Sequence, residues 1–223
     1  MDDPTVEKEM LNQVIVESVT KIPLGGKEEF LTEVIDVEKS AWRPELQASK
    51  KKFVSRLEIF PQGFIVAKVE GRIKGVTTSQ ITTYDPLEKK TWNEITDNGM
   101  IKRTHNPAGN ALYVVSVAVA ADAQGMGVGS KLVEEQKKIA RQLGLKLVFL
   151  GARIPGYNKY CEQNGEISVE EYLALKNQNG ESVDPEIRFY ERQGLRASKI
   201  IPEFEPDIDS RNYGVVVAWE NTD

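Results

Sequence analysis

A chain of 223 residues is long enough to bury a sizeable core and fits one large domain or two small ones. With 40% hydrophobic and 28% charged residues, it has an ordinary soluble composition and no apolar run of membrane-spanning length. A net charge of −5 argues against a nucleic-acid partner, which selects a basic surface. It is compatible with a cationic substrate such as an amine, and equally with solubility alone.

Cysteine and histidine each occur once, as Cys161 and His105. An internal disulfide and most Cys/His metal sites are thereby excluded. The opening residues, "MDDPTVEKEM", are acidic and polar, unlike a secretory signal. We therefore expect a cytoplasmic protein without a metal. Cys161 lacks an activating partner and is expected to be passive, and His105, in a polar loop, to be exposed.

The first third of the chain predicts one strand, two helices and a hairpin. "NQVIVESVTKI" alternates like a strand, and "GGKEEFLTEVIDVEKSAW" has helical apolar spacing. Ser49 can cap a second helix, which Pro61 stops. "GFIVAKVEGR" and "KGVTTSQITTY" follow as two strands, joined at "EGR" by a hairpin turn.

The rest of the chain alternates between buried strands, helices and two polar segments. Residues 85–110 are too long for a simple connection and are predicted to be a binding loop or a mobile excursion. Residues 154–183 form a second excursion, in which Ser168 and Glu171 have the spacing of a helix capping box. A helix in "DPEIRFYERQG" and two strands close the chain. This order predicts one mixed α/β domain over residues 1–223, with 154–183 as an insertion.

The stretch "VAVAADAQGMGVGSKL" carries the strongest functional signal. Its spacing fails the Walker phosphate loop and the dinucleotide fingerprint, but fits Q-x-x-G-x-G between a buried strand and a long helix. Without Cβ atoms, such a backbone can wrap a pyrophosphate at the positive start of the helix. The alternative is a tight turn with no ligand.

This stretch resembles the acyl-CoA-binding motif of the GNAT superfamily of N-acetyltransferases, and "RFYERQGL" resembles that superfamily's next motif. The resemblance covers nearly the whole chain, from about residue 12 to 220. "ARIPGYNKY" with "DPEIRFYERQGL" further resembles a bacterial subgroup whose acetyltransferase module often precedes a carbon–nitrogen hydrolase domain. We expect this chain to carry the first module alone.

The resemblance implies a GNAT fold: a mixed sheet of about seven strands with flanking helices, splayed at two central strands. The implied ligand is acetyl-CoA, a co-substrate, with no metal. Its pyrophosphate and pantetheine arm would contact mainly main-chain groups, and the implied binding residues are Val117, Ala118, Val119, Gln124, Gly125, Met126, Gly127, Val128, Gly129 and Ser130.

The chemistry implied by the resemblance needs few side chains. Tyr190 matches the family position whose hydroxyl often protonates the leaving thiolate, although a core tyrosine is the alternative. Many members place a glutamate where this chain has Ser116, which cannot be a base by itself. Asp85, Glu94 and Asp122 are available in its place, but each is more typical of a solvated loop charge.

Arg153, Tyr157 and Tyr160 lie where a family member opens toward its acceptor. They are candidates for recognising the substrate or, equally, for anchoring the 154–183 excursion.

We expect an acetyl-CoA-dependent N-acetyltransferase that transfers directly to an amine, on a small molecule or a protein. The alternative is a non-catalytic acyl-CoA-binding module that regulates or docks a partner. Neither a nucleic acid nor a membrane is expected as a partner, and a homodimer is possible.

Overall fold

The computed structural model describes residues 13–20 and 26–222. The helices are α1 (Lys27–Ala41), α2 (Lys50–Ile59), α3 (Trp92–Thr96), α4 (Val128–Gln142), α5 (Tyr157–Asn164), α6 (Val169–Ala174) and α7 (Pro185–Arg192). The strands are β1 (Ile15–Ser18), β2 (Ile65–Val69), β3 (Arg72–Thr82), β4 (Ala111–Val119), β5 (Leu147–Arg153), β6 (Arg196–Ile201) and β7 (Gly214–Glu220).

The seven strands form one mixed sheet in the order β1-β2-β3-β4-β5-β7-β6. Only β4 and β5 run parallel, and they pair over three residues, from Ala111 with Leu147 to Tyr113 with Phe149. Beyond that point β4 continues to pair with β3, and β5 with β7. The two central strands therefore separate, which confirms the predicted seven-stranded, splayed GNAT fold.

The two faces of the sheet are covered by different helices, as the alternation of side chains along β3 shows. Thr78 faces α2, where its hydroxyl accepts a hydrogen bond from Arg56 at 3.2 Å. Thr77 faces α4 and accepts one from Gln136 at 3.3 Å. Helix α1 packs against β3 and β4. The hydrophobic core covers both faces of the sheet, and the sequences of the central strands are therefore nearly continuous apolar runs.

The two polar segments contain more structure than their sequences predict. Residues 85–110 include α3, which begins with a capping box between Thr91 and Glu94, and the fully buried Ile101. This packing favours an ordered segment over a mobile one. In residues 154–183 the predicted capping box of Ser168 and Glu171 is present at the start of α6, and the unpredicted α5 precedes it.

Two sequence predictions about polar residues need correction. Ser49 occupies the cap position of α2, but its side chain makes no capping hydrogen bond. His105 is half-buried, not exposed: its Nδ1 accepts the Ile81 N–H at 3.2 Å, and its ring centroid lies 4.9 Å from that of Phe60. Burial lowers the pKa of His105. Cys161 is buried in the core, as a passive cysteine would be.

Within residues 13–20 and 26–222, no helix combines the length and the apolar character that crossing a bilayer requires. The same residues contain no group of three or more His, Cys, Asp or Glu side chains placed to hold a metal ion.

Candidate functional site

The glycine loop between β4 and α4 has the backbone conformation that its sequence requires. Gly125 and Gly127 have φ values of 80° and 79°, in the left-handed region where a residue with a Cβ is strained. A Cβ at either position would meet no atom within 4 Å, so the space in front of the loop is open. Gly129 differs, because its Cβ would lie 3.2 Å from the Phe189 ring. Two of the glycines therefore shape the loop, and the third permits close packing.

Helix α4 begins at this loop and points free backbone donors along it. Gly127 is its N-cap residue, and the first intrahelical hydrogen bond runs from the Lys131 N–H to the Gly127 carbonyl at 3.1 Å. The N–H groups of residues 128–130 precede that bond and have no carbonyl partner within the helix. Together with the helix dipole, these donors make the loop a site for an anionic group such as a pyrophosphate.

A cleft of about 700 Å³ opens at the point where β4 and β5 separate. Eight of the ten predicted cofactor residues line it: Val117, Val119, Gln124, Gly125, Gly127, Val128, Gly129 and Ser130. The other two do not, since Ala118 is buried and Met126 is 41% exposed on the surface. The cleft is also lined by Trp42, Pro155, Pro185, Glu186, Phe189 and Tyr190.

Tyr190, the predicted acid, lies on α7 and lines this cleft. It is 5% exposed, and no described residue hydrogen-bonds its hydroxyl. Burial, reinforced by the charge of Glu186, raises the pKa of Tyr190 well above its usual value. The phenol is therefore protonated at neutral pH and can donate its proton to a group bound in the cleft.

Glu186 is a cleft residue that sequence reasoning missed. It lies one helical turn before Tyr190, so the two side chains share a face of α7. Its Oε1 accepts the Arg153 N–H at 3.1 Å, and its Oε2 accepts from the Arg153 guanidinium at 3.3 Å. Burial raises the pKa of Glu186 to about 7, against the opposing charge of Arg153. The i, i+4 spacing from Tyr190 was the available sequence signal.

Ser116, which stands where the family resemblance implies an acid in many members, lies in a buried polar network. Its hydroxyl hydrogen-bonds Thr78 and accepts from Nη1 of Arg56, both at 3.1 Å. Arg56 is 1% exposed, and burial lowers its pKa to about 10, with the charge of Glu38 opposing. A cationic side chain thus occupies the space beside the serine, and the described part of β4 offers no carboxylate in the cleft.

The three acids considered as replacement bases have other roles. Asp122 forms an exposed ion pair with Lys74 at 2.6 Å. Glu94 belongs to the capping box of α3, and a carboxylate oxygen of Asp85 accepts the Leu87 N–H. None of them lines the cleft.

The predicted substrate residues separate into two groups. Arg153 is 16% exposed, pairs with Glu186 at 3.3 Å and Asp207 at 3.2 Å, and lies over the Trp42 ring at 4.7 Å. It therefore borders the cleft through Trp42 and Glu186. Tyr157 is buried and donates its hydroxyl to the Ile167 carbonyl at 2.7 Å.

Tyr160 packs against Tyr172, with ring centroids 5.5 Å apart. The positions of Tyr157 and Tyr160 thus favour the alternative that they anchor the 154–183 segment.

Comparison with known proteins agrees with this geometry. The sequence profile of the family described as the acetyltransferase (GNAT) family matches residues 30–160. Two relatives from Bacillus subtilis (strain 168) are each 34% identical: the probable hydrolase YhcX over 200 residues and the uncharacterized N-acetyltransferase YkwB over 178 residues. The matches cover 88% and 79% of this chain, but 38% of YhcX and 76% of YkwB. The chain thus spans well under half the length of YhcX.

Among solved structures, the loading GNATL domain of CurA from Lyngbya majuscula superposes with a TM-score of 0.78 at 24% identity, covering 93% of this chain and 98% of that one. The GphF GNAT-like decarboxylase in complex with isobutyryl-CoA gives a TM-score of 0.75, with the same identity and coverage. At this identity the two structures show a shared fold. The matched profile covers more than half of the chain, and with the relative YkwB it shows that this protein belongs to the GNAT acetyltransferase family.

Proposed function

We propose that this protein is an N-acetyltransferase that takes acetyl-CoA as donor and transfers the acetyl group directly to an amine. The observation that carries the proposal is the cleft at the splay, where the glycine loop and the start of α4 face Tyr190 and Glu186. Membership of the GNAT family and the relative named an uncharacterized N-acetyltransferase support it.

The donor is held mainly by backbone. The pyrophosphate would accept hydrogen bonds from the loop and from the N–H groups that precede the first turn of α4. The pantetheine arm would run beside β4 at Val117 and Val119, where that strand has parted from β5. Apolar side chains suit this stretch because the polar contacts are main-chain groups.

Glu186 and Tyr190 supply the proton transfers in this proposal. Glu186 accepts a proton from the bound ammonium, and the neutral amine nitrogen then forms a bond to the acetyl carbon while the carbon–sulfur bond breaks. Tyr190 donates its proton to the departing thiolate and regains one from the acylated nitrogen, and Glu186 releases its proton to water. A carboxyl with a pKa of about 7 suits a base that works near neutral pH. A backbone N–H near Val119 stabilises the negative oxygen that forms during attack.

A second candidate function is a non-catalytic acyl-CoA-binding module. The observation that favours it is Ser116, which is hydrogen-bonded to the cationic Arg56 and stands where many family members carry their base. Both candidates predict acetyl-CoA binding, and only the first predicts release of free thiol in the presence of amines.

The test is a calorimetric titration with acetyl-CoA, followed by a thiol-release assay with a panel of amines. We expect one acetyl-CoA per chain, and Gly127→Ala should weaken binding by about tenfold because its left-handed φ strains a Cβ residue by ~1–2 kcal/mol. Gly180→Ala is the matched control, since Gly180 has φ 75°, open space around it and no place in the cleft.

Binding accompanied by thiol release supports the enzyme, and binding without thiol release from any amine supports the module. Absence of binding, or equal weakening by the two glycine variants, contradicts both proposals.

A further inference from the structure

Three charged side chains near the splay each contain a buried polar atom without a partner. Among the described residues, four buried side-chain atoms lack a hydrogen bond, and three of these are Oε2 of Glu38, Nη2 of Arg56 and Nε of Arg153. The fourth, Oε1 of Gln136, belongs to α4 on the other face of the sheet. Buried polar groups are rarely left unpaired, so a cluster of three indicates a missing polar partner.

The positive part of this cluster forms around Gly99. A Cβ built there would lie 2.8 Å from Nη2 of Arg56, 3.1 Å from the Lys52 side chain and 2.6 Å from the Trp92 ring. Arg56 already donates to the Gly99 carbonyl and to Thr78 and Ser116, which leaves Nη2 as its free donor group. The Lys52 ammonium is 5.2 Å from the Trp92 ring centroid, and no described residue accepts a hydrogen bond from it.

The negative part consists of Glu38 and Glu205. Glu38 is 2% exposed, and its Oε1 accepts the Ala48 N–H at 2.7 Å, while Oε2 is free. Glu205 is half-buried and has no hydrogen-bond partner among the described residues. The Trp92 backbone N–H donates to the Phe204 carbonyl at 2.9 Å and Lys52 lies over the Trp92 ring at 5.2 Å, so Glu205 follows a residue that contacts the positive part. Burial raises the pKa of Glu38 and of Glu205, and the opposing charges of Arg56 and Lys52 at Glu38, and of Arg153 and Lys52 at Glu205, agree with this placement.

Arg153 joins this cluster to the cleft. Its guanidinium lies over Trp42 at 4.7 Å and pairs with Glu186 at 3.3 Å, and both of those residues line the cleft. Arg153 is also part of the charged cluster, because its Nε has no hydrogen-bond partner and its charge opposes the burial that raises the pKa of Glu205. The unpaired charges therefore adjoin the site where the proposed function places acyl transfer.

We infer that the acceptor is a small amino-carboxylate, such as an amino acid, whose carboxylate binds Arg56 and Lys52 and whose ammonium binds Glu38 and Glu205. This inference rests on the proposed function and specifies its substrate. Unpaired groups of both signs are the reason for choosing a zwitterion. A plain amine would leave Nη2 of Arg56 buried and unsatisfied, and a plain carboxylate would leave Oε2 of Glu38 in the same condition.

The reaction then balances without any further reagent. The ammonium gives up one proton to Glu186, and the neutral nitrogen forms the bond to the acyl carbon while the carbon–sulfur bond breaks. The sulfur leaves with the Tyr190 proton, the second nitrogen proton returns to Tyr190, and Glu186 releases its proton to water. The products are an N-acyl amino acid and free CoA. The carboxylate takes no part in the bond changes, so its role is binding and selection.

The experiment compares three sets of compounds with matched carbon skeletons: α-amino acids, the amines that lack their carboxylate, and the carboxylic acids that lack their amine. Binding is followed in the presence of CoA by intrinsic tryptophan fluorescence, because two of the three tryptophans, Trp42 and Trp92, adjoin the cluster. Turnover is followed by thiol release with acetyl-CoA. We expect the best amino acid to exceed its matched amine by about 10- to 100-fold in kcat/KM, the cost of leaving a buried charged donor unpaired.

Lys52→Met is the decisive variant, because Lys52 is partly exposed and its loss is compatible with folding. It should raise KM for the amino acid by about tenfold or more and leave KM for the matched amine unchanged. Lys51→Met, at the exposed neighbouring position on α2, is the control and should change neither value.

The outcomes separate this inference from the proposed function. Amines turned over as well as amino acids overturn the inference and leave the acetyltransferase standing. Saturable amino-acid binding that Lys52→Met weakens, without turnover, supports the inference about the ligand and contradicts the proposed function. Absence of saturable binding by any amino acid overturns the inference.

Discussion

The two sides of the splay between β4 and β5 are built in different ways. On the side of α4, the loop at Gly125 and Gly127 presents backbone groups from one short stretch of chain. On the side of α1 and α2, charged side chains come from two helices, a strand end and the segment after β6. A site made of backbone depends on local conformation, whereas a site made of buried charges depends on the whole fold.

The two sides also differ in their energetics. The glycine loop is exposed to the cleft, so its N–H groups have access to water when no ligand is bound. The buried charges around Arg153 and Arg56 have lost most of their hydration and must be compensated by one another. Changes on the charged side should therefore affect stability more, and changes facing the cleft should affect turnover more.

The largest expected effect is on stability, from Arg153→Ala. This change leaves Glu186 and Asp207 buried without their cation, a loss of ~3–5 kcal/mol in the free energy of unfolding for a broken buried pair. Arg43→Ala is the matched control, because Arg43 is 53% exposed and pairs with Asp209 in the same segment as Asp207. Its loss should cost under about 1 kcal/mol.

Urea unfolding of the two arginine variants and the parent measures the difference. Similar losses for both variants would contradict the distinction between a buried charged side and an ordinary surface.

The next effect is on catalysis, from Tyr190→Phe. Removing the phenol proton should lower kcat by about 100-fold or more, because the thiolate then leaves without its acid. The Kd for acetyl-CoA should stay unchanged, since the aromatic ring is kept. Tyr213→Phe, which lies away from the cleft, is the control. A normal kcat in the Tyr190→Phe variant would contradict the role of Tyr190 as the acid.

A third effect is a pH dependence set by Glu186. Burial raises the pKa of Glu186 to about 7, so the carboxylate form needed as a base disappears as the pH falls below that value. The value of kcat/KM should then fall tenfold per pH unit on the acid side. Glu186→Gln should be slow at every pH and lack this limb. If the Glu186→Gln variant shows the same fall of kcat/KM at low pH, a group other than Glu186 is responsible for it.

The smallest effect is a shift in stability with pH from Glu205. Burial raises the pKa of Glu205 to about 6, above its usual 4.5, so the folded state holds its proton more tightly than the unfolded state. The resulting stabilisation is present below pH 4.5 and is lost as the pH rises through 6. Glu205→Gln should therefore raise Tm at pH 8 relative to the parent and change it less at pH 4.5.

Thermal unfolding of the parent and Glu205→Gln at both pH values checks this prediction. A variant whose Tm gain is the same at pH 4.5 and pH 8 would contradict it.

Local sequence determined much of this protein. The glycine loop could be predicted from the sequence pattern of a strand, three glycines and a helix. A left-handed φ and the start of a helix are set by neighbouring residues. The capping box of Ser168 and Glu171 was predictable for the same reason. The order of elements predicted one mixed α/β domain, and the family resemblance predicted a sheet of about seven strands and its splay.

The tertiary structure alone decided the charged side. No spacing in the sequence brings Glu38, Arg56 and Glu205 together, and no local pattern shows that a guanidinium lies against Ser116. Tyr157 was a candidate binding residue because of its polar aromatic side chain, yet its hydroxyl donates a hydrogen bond to the Ile167 carbonyl. Backbone conformation is set by adjacent residues and can be inferred from them. The partner of a buried charge is set by which distant segments meet, and that follows only from the packed fold.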